Sequence, residues 1–550
     1  MSKVKSKMMP QSKTHENHSA SQTNRLLQQL ILRISTKTCV PIALVIGAAS
    51  FSVQAQASVI CPVTSFENVL GPTSIANNVN CNIYATLDNF YSLSNYGVVS
   101  TMSSGTLNNY GTLDNHYHGF LNNNHALLNL GPSTSPDNYH GVLVNEGTLN
   151  NTAIMENYRH ANLSNFYTLN NNSGGLLIND STSVLNNASV LNNNLGATIN
   201  SSYEMFNYAW HANATINNSG TLNINAGFLN NKGTLNNSGS LNNHGNLSNS
   251  GGLVNVNGST LTNSGYLYNK GYIGNKAGST LANHGTIQND SQIANSGTFN
   301  NDQVLRDSSL IRNSGAFTNS SGAGIYGTGT IENTGTFINS GNMTGTGTSS
   351  FTQTAGVSQM NGLFSMGQLN IQGGQLFGTG SIIGPVLNTG GMVQGGAAGS
   401  PGKLRINGSF TQQSGGTLQE LINGTGGGLY STLAVTGTIS LGGALDITSG
   451  NGYSFAAGQT FDIATFDSGG LTGTFDNLVY GSYSGTGSSL NIGGGLELDV
   501  LYNNTAGNIQ LSVQAVPEPE DFFLMSAGLA LVGLMGWRRK SRPREPGRRM

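Results

Sequence analysis

The stretch "GTLNNSGSLNNHGNLSNSGGLVN", residues 233–255, places Leu235, Leu241, Leu247 and Leu253 six residues apart, with glycine two positions before each leucine and asparagine two after it. Six is even, so successive leucines of an extended chain point to one side, as a strand requires and a 3.6-residue helix does not. Glycine recurs in every unit and would cost a helix interior roughly 1 kcal/mol each time. Each unit therefore reads as a short strand followed by a corner, where glycine or asparagine is expected to supply left-handed backbone.

A longer period sets the architecture. "GSTL" occurs at Gly258 to Leu261 and again at Gly278 to Leu281, and Leu261, Leu267, Ile273 and Leu281 step by six, six and eight residues, a sum of 20. The same 20 links Leu87, Leu107 and Leu127, and also Leu143 to Leu163 and Leu149 to Leu169. Three short strands per coil, stacked at a strand spacing of about 4.8 Å, predict an all-β fold, a right-handed parallel β-helix or β-solenoid with inward aliphatic columns. The asparagines fall near corners, where stacked amides can hydrogen-bond along a ladder. A disordered low-complexity tract is the other reading, but it gives strict leucine phase no purpose. The solenoid is expected over residues 58–397, loosening from about Ser321.

Charged residues make up only 8% of the chain and glycine reaches 76, which fits an extended repeat better than a compact enzyme. The formal charge of −2 hides an asymmetry. Seven basic residues lie between Lys3 and Lys37 and seven follow Trp537, whereas Ser58 to Val516 holds eight basic and 19 acidic residues, a net charge of −11. Such a body does not bind nucleic acid by neutralising phosphates.

Both ends read as addresses. A basic region leads into "CVPIALVIGAASFSV" and then "AQA" at Ala55 to Ala57, the order of a secretory signal peptide over residues 1–57 with cleavage at Ala55 and Ala57. An uncleaved membrane anchor is the alternative, and the long basic region leaves open a start codon after Met1. Cleavage would leave Cys61 and Cys81, 20 residues apart. In an exported chain these favour a disulfide stapling the first coil, against two buried thiols.

At the other end, Val516-Pro517-Glu518-Pro519 precedes a 16-residue apolar run, Phe522 to Trp537, and then Arg538, Arg539 and Lys540. The run is somewhat short of the roughly 20 residues of a comfortable membrane span, and its basic end suits the cytoplasmic side. These three parts in order resemble the PEP-CTERM sorting signal of exported bacterial proteins, over residues 516–550. The resemblance implies export by the Sec machinery and recognition by an exosortase near the Pro-Glu-Pro motif, with at least transient membrane residence. It also implies a place in the cell envelope or in exopolysaccharide matrix. The final "SRPREPGRRM" extends past the usual short basic end.

Residues 398–515 differ in composition and are expected to form a β cap. Gly408-Ser409-Phe410 with Thr411-Gln412, Leu433-Ala434-Val435-Thr436-Gly437, Leu441-Gly442-Gly443 and Gly473-Thr474-Phe475 resemble the C-terminal part of autotransporter passenger domains and related adhesins. Ser431 follows Tyr430 where that family often has aspartate. The resemblance implies a solenoid cap or folding nucleus.

Motifs of catalysis are sparse. The chain shows no GxSxG elbow, HExxH or Walker sequence, and its GxG pairs read as turns. Asp462, Asp467 and Asp476 come nearest to the carboxylate cluster that a polysaccharide lyase or hydrolase on a β-helix needs. His118, His140 and His160, 22 and 20 residues apart and accompanied by Tyr117, Tyr139 and Tyr158, suggest a stripe for a divalent metal or a sugar ring, or simply a ladder of turn residues. No cofactor is expected. The sequence thus points to a non-enzymatic structural or adhesive protein of the cell surface, envelope or biofilm matrix, with exopolysaccharide or other glycans as partners. A polysaccharide-processing enzyme and a filament subunit are the alternatives.

Overall fold

The computed structural model describes residues 61–540, apart from 62, 64–66, 77–78, 103, 111, 117–119, 131–140, 181, 209–213 and 517–518. All of these belong to the unit Gln56–Met550. The expected signal peptide and its Ala55 and Ala57 lie outside the described residues.

The chain winds as a parallel β-solenoid in which each coil gives one short strand to each of three sheets. In the coil that starts at Gly233, Thr234–Asn237 lies in the third sheet, Ser240–Asn243 in the first and Asn246–Asn249 in the second. The next strand, Gly252–Asn255, returns to the third sheet and pairs in parallel with Thr234–Asn237, Leu235 against Leu253 and Asn237 against Asn255. This coil is therefore 18 residues, three sides of six, whereas the shortest among the described residues, as from Leu369 to Val386, is 17. The 20-residue period is this coil with two residues added at one corner: Val256-Asn257-Gly258-Ser259 replaces a two-residue corner, and Asn257 and Gly258 take φ of 59° and 77°.

Within a strand the first and third residues face out and the second and fourth face in. Leu235, Leu241, Leu247 and Leu253 are at most 1% exposed, and the same columns run through the whole core. The expected left-handed backbone is thus found at the four-residue corners, whereas glycine at the two-residue corners serves another purpose. Gly239, Gly245 and Gly251 do not have left-handed φ; a Cβ on them would meet the carbonyl oxygen of the glycine one coil below at 2.1, 2.3 and 2.0 Å. Close stacking of corner on corner, not backbone handedness, requires glycine there.

From Phe299 the aliphatic column of the first sheet becomes aromatic through Phe317 and Phe337, with ring centroids 4.5 and 5.0 Å apart, and Phe351 of the third sheet packs on Phe337 at 4.9 Å. Parallel pairing continues past the composition change near Ser400, through Lys403–Asn407 and Thr432–Val435 to Leu471–Gly473 and Asn477–Tyr480. Parallel coils thus continue within residues 398–480, and antiparallel pairs close the end, Thr460–Thr465 with Asn508–Ala515 and Leu496–Asn503 with the same strand. A helix, α1, follows at Pro519–Lys540. At the other end Cys61 and Cys81 form a disulfide, with Cys81 fully buried in the first coil.

Candidate functional site

The inward asparagines are the most ordered chemical feature of the molecule. In the second sheet Asn95, Asn115, Asn145, Asn165, Asn187, Asn207, Asn231, Asn249, Asn269 and Asn289 each donate from Nδ2 to the side-chain oxygen one coil onward, at 2.7–2.9 Å, and the last acceptor is Asp307. The third sheet carries an equal run from Asn123 to Asn333 at 2.7–2.9 Å. The first sheet carries two runs, Asn89 to Asn179 and Asn243 to Asn339, separated where Ile224 takes the asparagine position.

The second Nδ2 proton crosses the corner to a backbone carbonyl of the coil above, as from Asn237 to Thr260 at 2.9 Å. Buried amides would be costly unpaired, so these bonds make a polar interior tolerable. Every inner ladder points from the N-terminal to the C-terminal end. No amide donor precedes the first rung of a run: the buried Oδ1 of Asn89 and Asn243 are both without a partner among the described residues, whereas Asn95 accepts the Gly97 N–H and Asn123 the Thr101 hydroxyl.

Outward asparagines of the third sheet form a second ladder of opposite sense, from Asn236 through Asn217, Asn192, Asn170 and Asn150 to Asn122, at 2.8–3.0 Å. From Asn122 to Asn236 the outer face of the third sheet thus repeats a neutral amide once per coil. Aromatic and charged residues gather instead on the corners bordering the second sheet. Phe90 stacks on Tyr110 and Tyr96 on His116, with centroids 4.9 and 4.2 Å apart. Arg159 lies over Tyr158, Lys232 over Tyr208 and Lys270 over Tyr268, at 4.9, 5.3 and 4.7 Å. Tyr268 donates to Asp290 at 2.7 Å.

Of the expected histidine stripe, His160 and Tyr158 fall among the described residues. His118 and His140, with Tyr117 and Tyr139, lie outside the described residues. His160 is exposed, with φ of 62°. Among the described residues no three His, Cys, Asp or Glu side chains come together as a metal site.

The expected acidic cluster is engaged in structure. Asp476 accepts the Gly443 N–H at 2.6 Å, and Asp462 accepts from Asn508 and Gln510 at 2.8 and 3.1 Å. Of the sorting motif, Val516 precedes α1, Pro517 and Glu518 lie outside the described residues, and Pro519 begins the helix. Arg538, Arg539 and Lys540 end it. Among the described residues no helix is long and apolar enough to cross a membrane.

Two buried acids were not singled out by sequence. Glu420 and Asp307 both occupy inward positions two residues after a core leucine, where the ladder places asparagine. Burial holds the Glu420 carboxyl well above the usual range, and neither of its oxygens has a partner among the described residues. Burial likewise raises Asp307 to about 6, against the lowering effect of its bonds from Asn289 and the Ser309 N–H. The signal for Asp307 was present: "VLRD" stands where neighbouring coils read leucine, any residue, asparagine.

No family model matches the chain, and no curated protein is similar to it. Among solved structures, the Haemophilus influenzae Hap adhesin aligns with a TM-score of 0.36 at 12% identity, over 82% of this chain and 64% of that one. The chain thus spans less than two thirds of that adhesin's length.

Proposed function

We propose that the protein is an exported, elongated structural or adhesive rod of the bacterial cell surface or extracellular matrix. Its partners in this reading are exopolysaccharide or other surface glycans. The observation that carries the reading is the unbroken stack of coils whose outer faces repeat small neutral polar groups. A shaft of this kind offers many weak, identical contacts, and avidity from such contacts exceeds any single one.

The finer part of the reading concerns the tail. The order Val516 to Pro519, apolar helix and Arg538-Arg539-Lys540 supports handling by an exosortase after Sec export. Met525, Leu529, Leu531, Val532, Leu534 and Met535 of α1 are 55–69% exposed, as suits a segment that meets a membrane at least transiently.

Two measurements test the two parts. Co-sedimentation of the purified protein with exopolysaccharide should be saturable and should weaken when Asn150, Asn170 and Asn192 are replaced together by lysine. Absence of co-sedimentation with any envelope or matrix glycan would remove the adhesive reading. The intact mass of protein from envelope and culture supernatant should correspond to a species from about Ser58 to about Val516, and a species keeping Phe522 to Met550 would make the tail a permanent anchor.

A further inference from the structure

The second inner ladder ends in an arrangement found at no other described rung. Asp307, 3% exposed, accepts the Asn289 amide on Oδ1 at 2.7 Å. Its Oδ2 is buried and receives no hydrogen bond from any described group. The next two coils carry Gly327 and Gly345 at the register position of the ladder. With no side chain there, a chamber remains, bounded by Asp307, Ile325, Tyr326, Gly329, Thr344 and Met366 together with those glycines, and its volume open to the centre of a water-sized particle is about 10 Å³. A Cβ on Gly329 would stand 2.2 Å from Oδ2, so this glycine keeps the oxygen facing free space.

The ladder's rule says what the rung lacks. An asparagine at 307 would send its second proton to the carbonyl of Thr330, as Asn289 sends one to Leu310 and Asn313 to Thr336. A carboxylate has no such proton and turns a second acceptor toward the chamber. The ladder's aligned amides end with their donor side at Asp307, which favours an anion at Oδ1 but does nothing for Oδ2. Arg306, on the same strand, points to solvent. Asp290, from the coil below, adds negative charge, and Tyr326, from the coil above, brings no cation. No basic side chain borders the chamber.

We propose that the chamber above Asp307 binds a single small monovalent cation, which takes between Oδ2 and the facing backbone the place that the amide NH₂ donor takes at the asparagine rungs. One buried carboxylate calls for one compensating charge, and a chamber of this size holds one water or one bare ion. A divalent ion would leave excess charge against Ile325 and Met366 with too few oxygens around it. Protonation satisfies the same oxygen, so acid competes with the cation.

The test uses the full-length protein in choline chloride, titrated with sodium, potassium or rubidium chloride at constant ionic strength, at pH 7.5 and at pH 4.5. Amide hydrogen exchange of Gly324 to Gly327 and Thr330 to Asn333 reads the site. At pH 7.5 one of the small cations should slow exchange there at least about threefold over choline, as ligand binding to the folded state does. The gain should vanish at pH 4.5 and in Asp307→Asn, which keeps shape and restores the missing donor. Crystals grown with rubidium should show an anomalous peak beside Oδ2. Equal protection in choline, a response retained by Asp307→Asn, a response to calcium alone, or an acid effect with no cation effect would each overturn the proposal.

Discussion

Residues 80–339 and residues 350–480 build the same three sheets, yet they fill the inward corner position in different ways. In the first region an asparagine amide bonds to an identical amide one coil away, so each coil must repeat its neighbour. In the second, Gln353 reaches past the rung to the carbonyls of Gly373 and Gln375 at 3.1 and 2.9 Å, and Gln412 to those of Gly442 and Ala444 at 2.8 and 3.0 Å. A glutamine bound to backbone needs no matching glutamine above it. Sequence repetition in this molecule is a consequence of amide-to-amide bonding, and it lapses where side chains bond to backbone instead.

The comparison can be broken at a ladder rung. Asn255 accepts from Asn237 and from Ser259 and donates to Asn275 and Thr280. Asn255→Ala strands several buried groups, each worth about 1–3 kcal/mol, and should lower stability by about 3–5 kcal/mol. Because each coil touches only its neighbours, the loss should show as faster amide exchange in the coils around residues 237–275, with coils beyond Phe351 unchanged.

Gly251 and Gly252 sharpen the steric half of the account. A Cβ on Gly251 meets the Gly233 oxygen at 2.0 Å, whereas one on Gly252 meets nothing within 4 Å. Gly251→Ala should cost about 2–3 kcal/mol in chemical denaturation, and Gly252→Ala should be neutral or slightly stabilising.

Asp307→Asn should act in the opposite direction. The folded-state pKa of Asp307 is raised from 3.8 to about 6 by burial, so the folded state holds the proton more tightly than the unfolded one. Stability from this group is fully present below about pH 4 and falls as pH rises through 6. In a buffer whose only cation is choline, the variant should therefore be up to about 2–3 kcal/mol more stable than the parent at pH 7 and nearly equal at pH 3.5. Thermal melts at the two pH values check the sign.

The smallest effect is expected at Ile224, the break in the first sheet's ladder. Ile224→Asn would place a donor below the unpartnered Oδ1 of Asn243, with Ser201 still standing between it and Asn179. The new bonds should largely offset the lost aliphatic burial, for a net change within about 1 kcal/mol. Asn263→Ile, which interrupts a complete run, should cost about 2–4 kcal/mol by the same denaturation measurement.

Much of this was legible before any coordinates. The six-residue leucine phase yielded strands, columns and coil stacking, and asparagine at a fixed offset yielded the ladder. Three things were not. The 18-residue coil was hidden behind "GSTL", which marks the coils carrying the two-residue insertion. The purpose of glycine at the two-residue corners was misread, since its service to left-handed backbone, found at Gly258, is local, while the clash at Gly251 comes from a carbonyl one coil away. The solenoid also runs on beyond Ser400, because parallel pairing survives when glutamine and phenylalanine replace the repeating amide. Asp307 was visible as a departure from the beat, but only the stacking shows that its second oxygen faces a chamber between two glycine rungs.

The central claim is that buried asparagine side chains bond to one another in continuous rows. The most direct test is nuclear magnetic resonance of the protein with asparagine side-chain amides labelled with ¹⁵N, following exchange of the Nδ2 protons into heavy water. Protons of Asn115 to Asn289 should persist for hours and show contacts from each amide to the next rung, while those of exposed asparagines such as Asn257 vanish at once. Exchange of the inward amides at the rate of the exposed ones would mean that the rows do not exist and that the repeating leucines alone hold the rod.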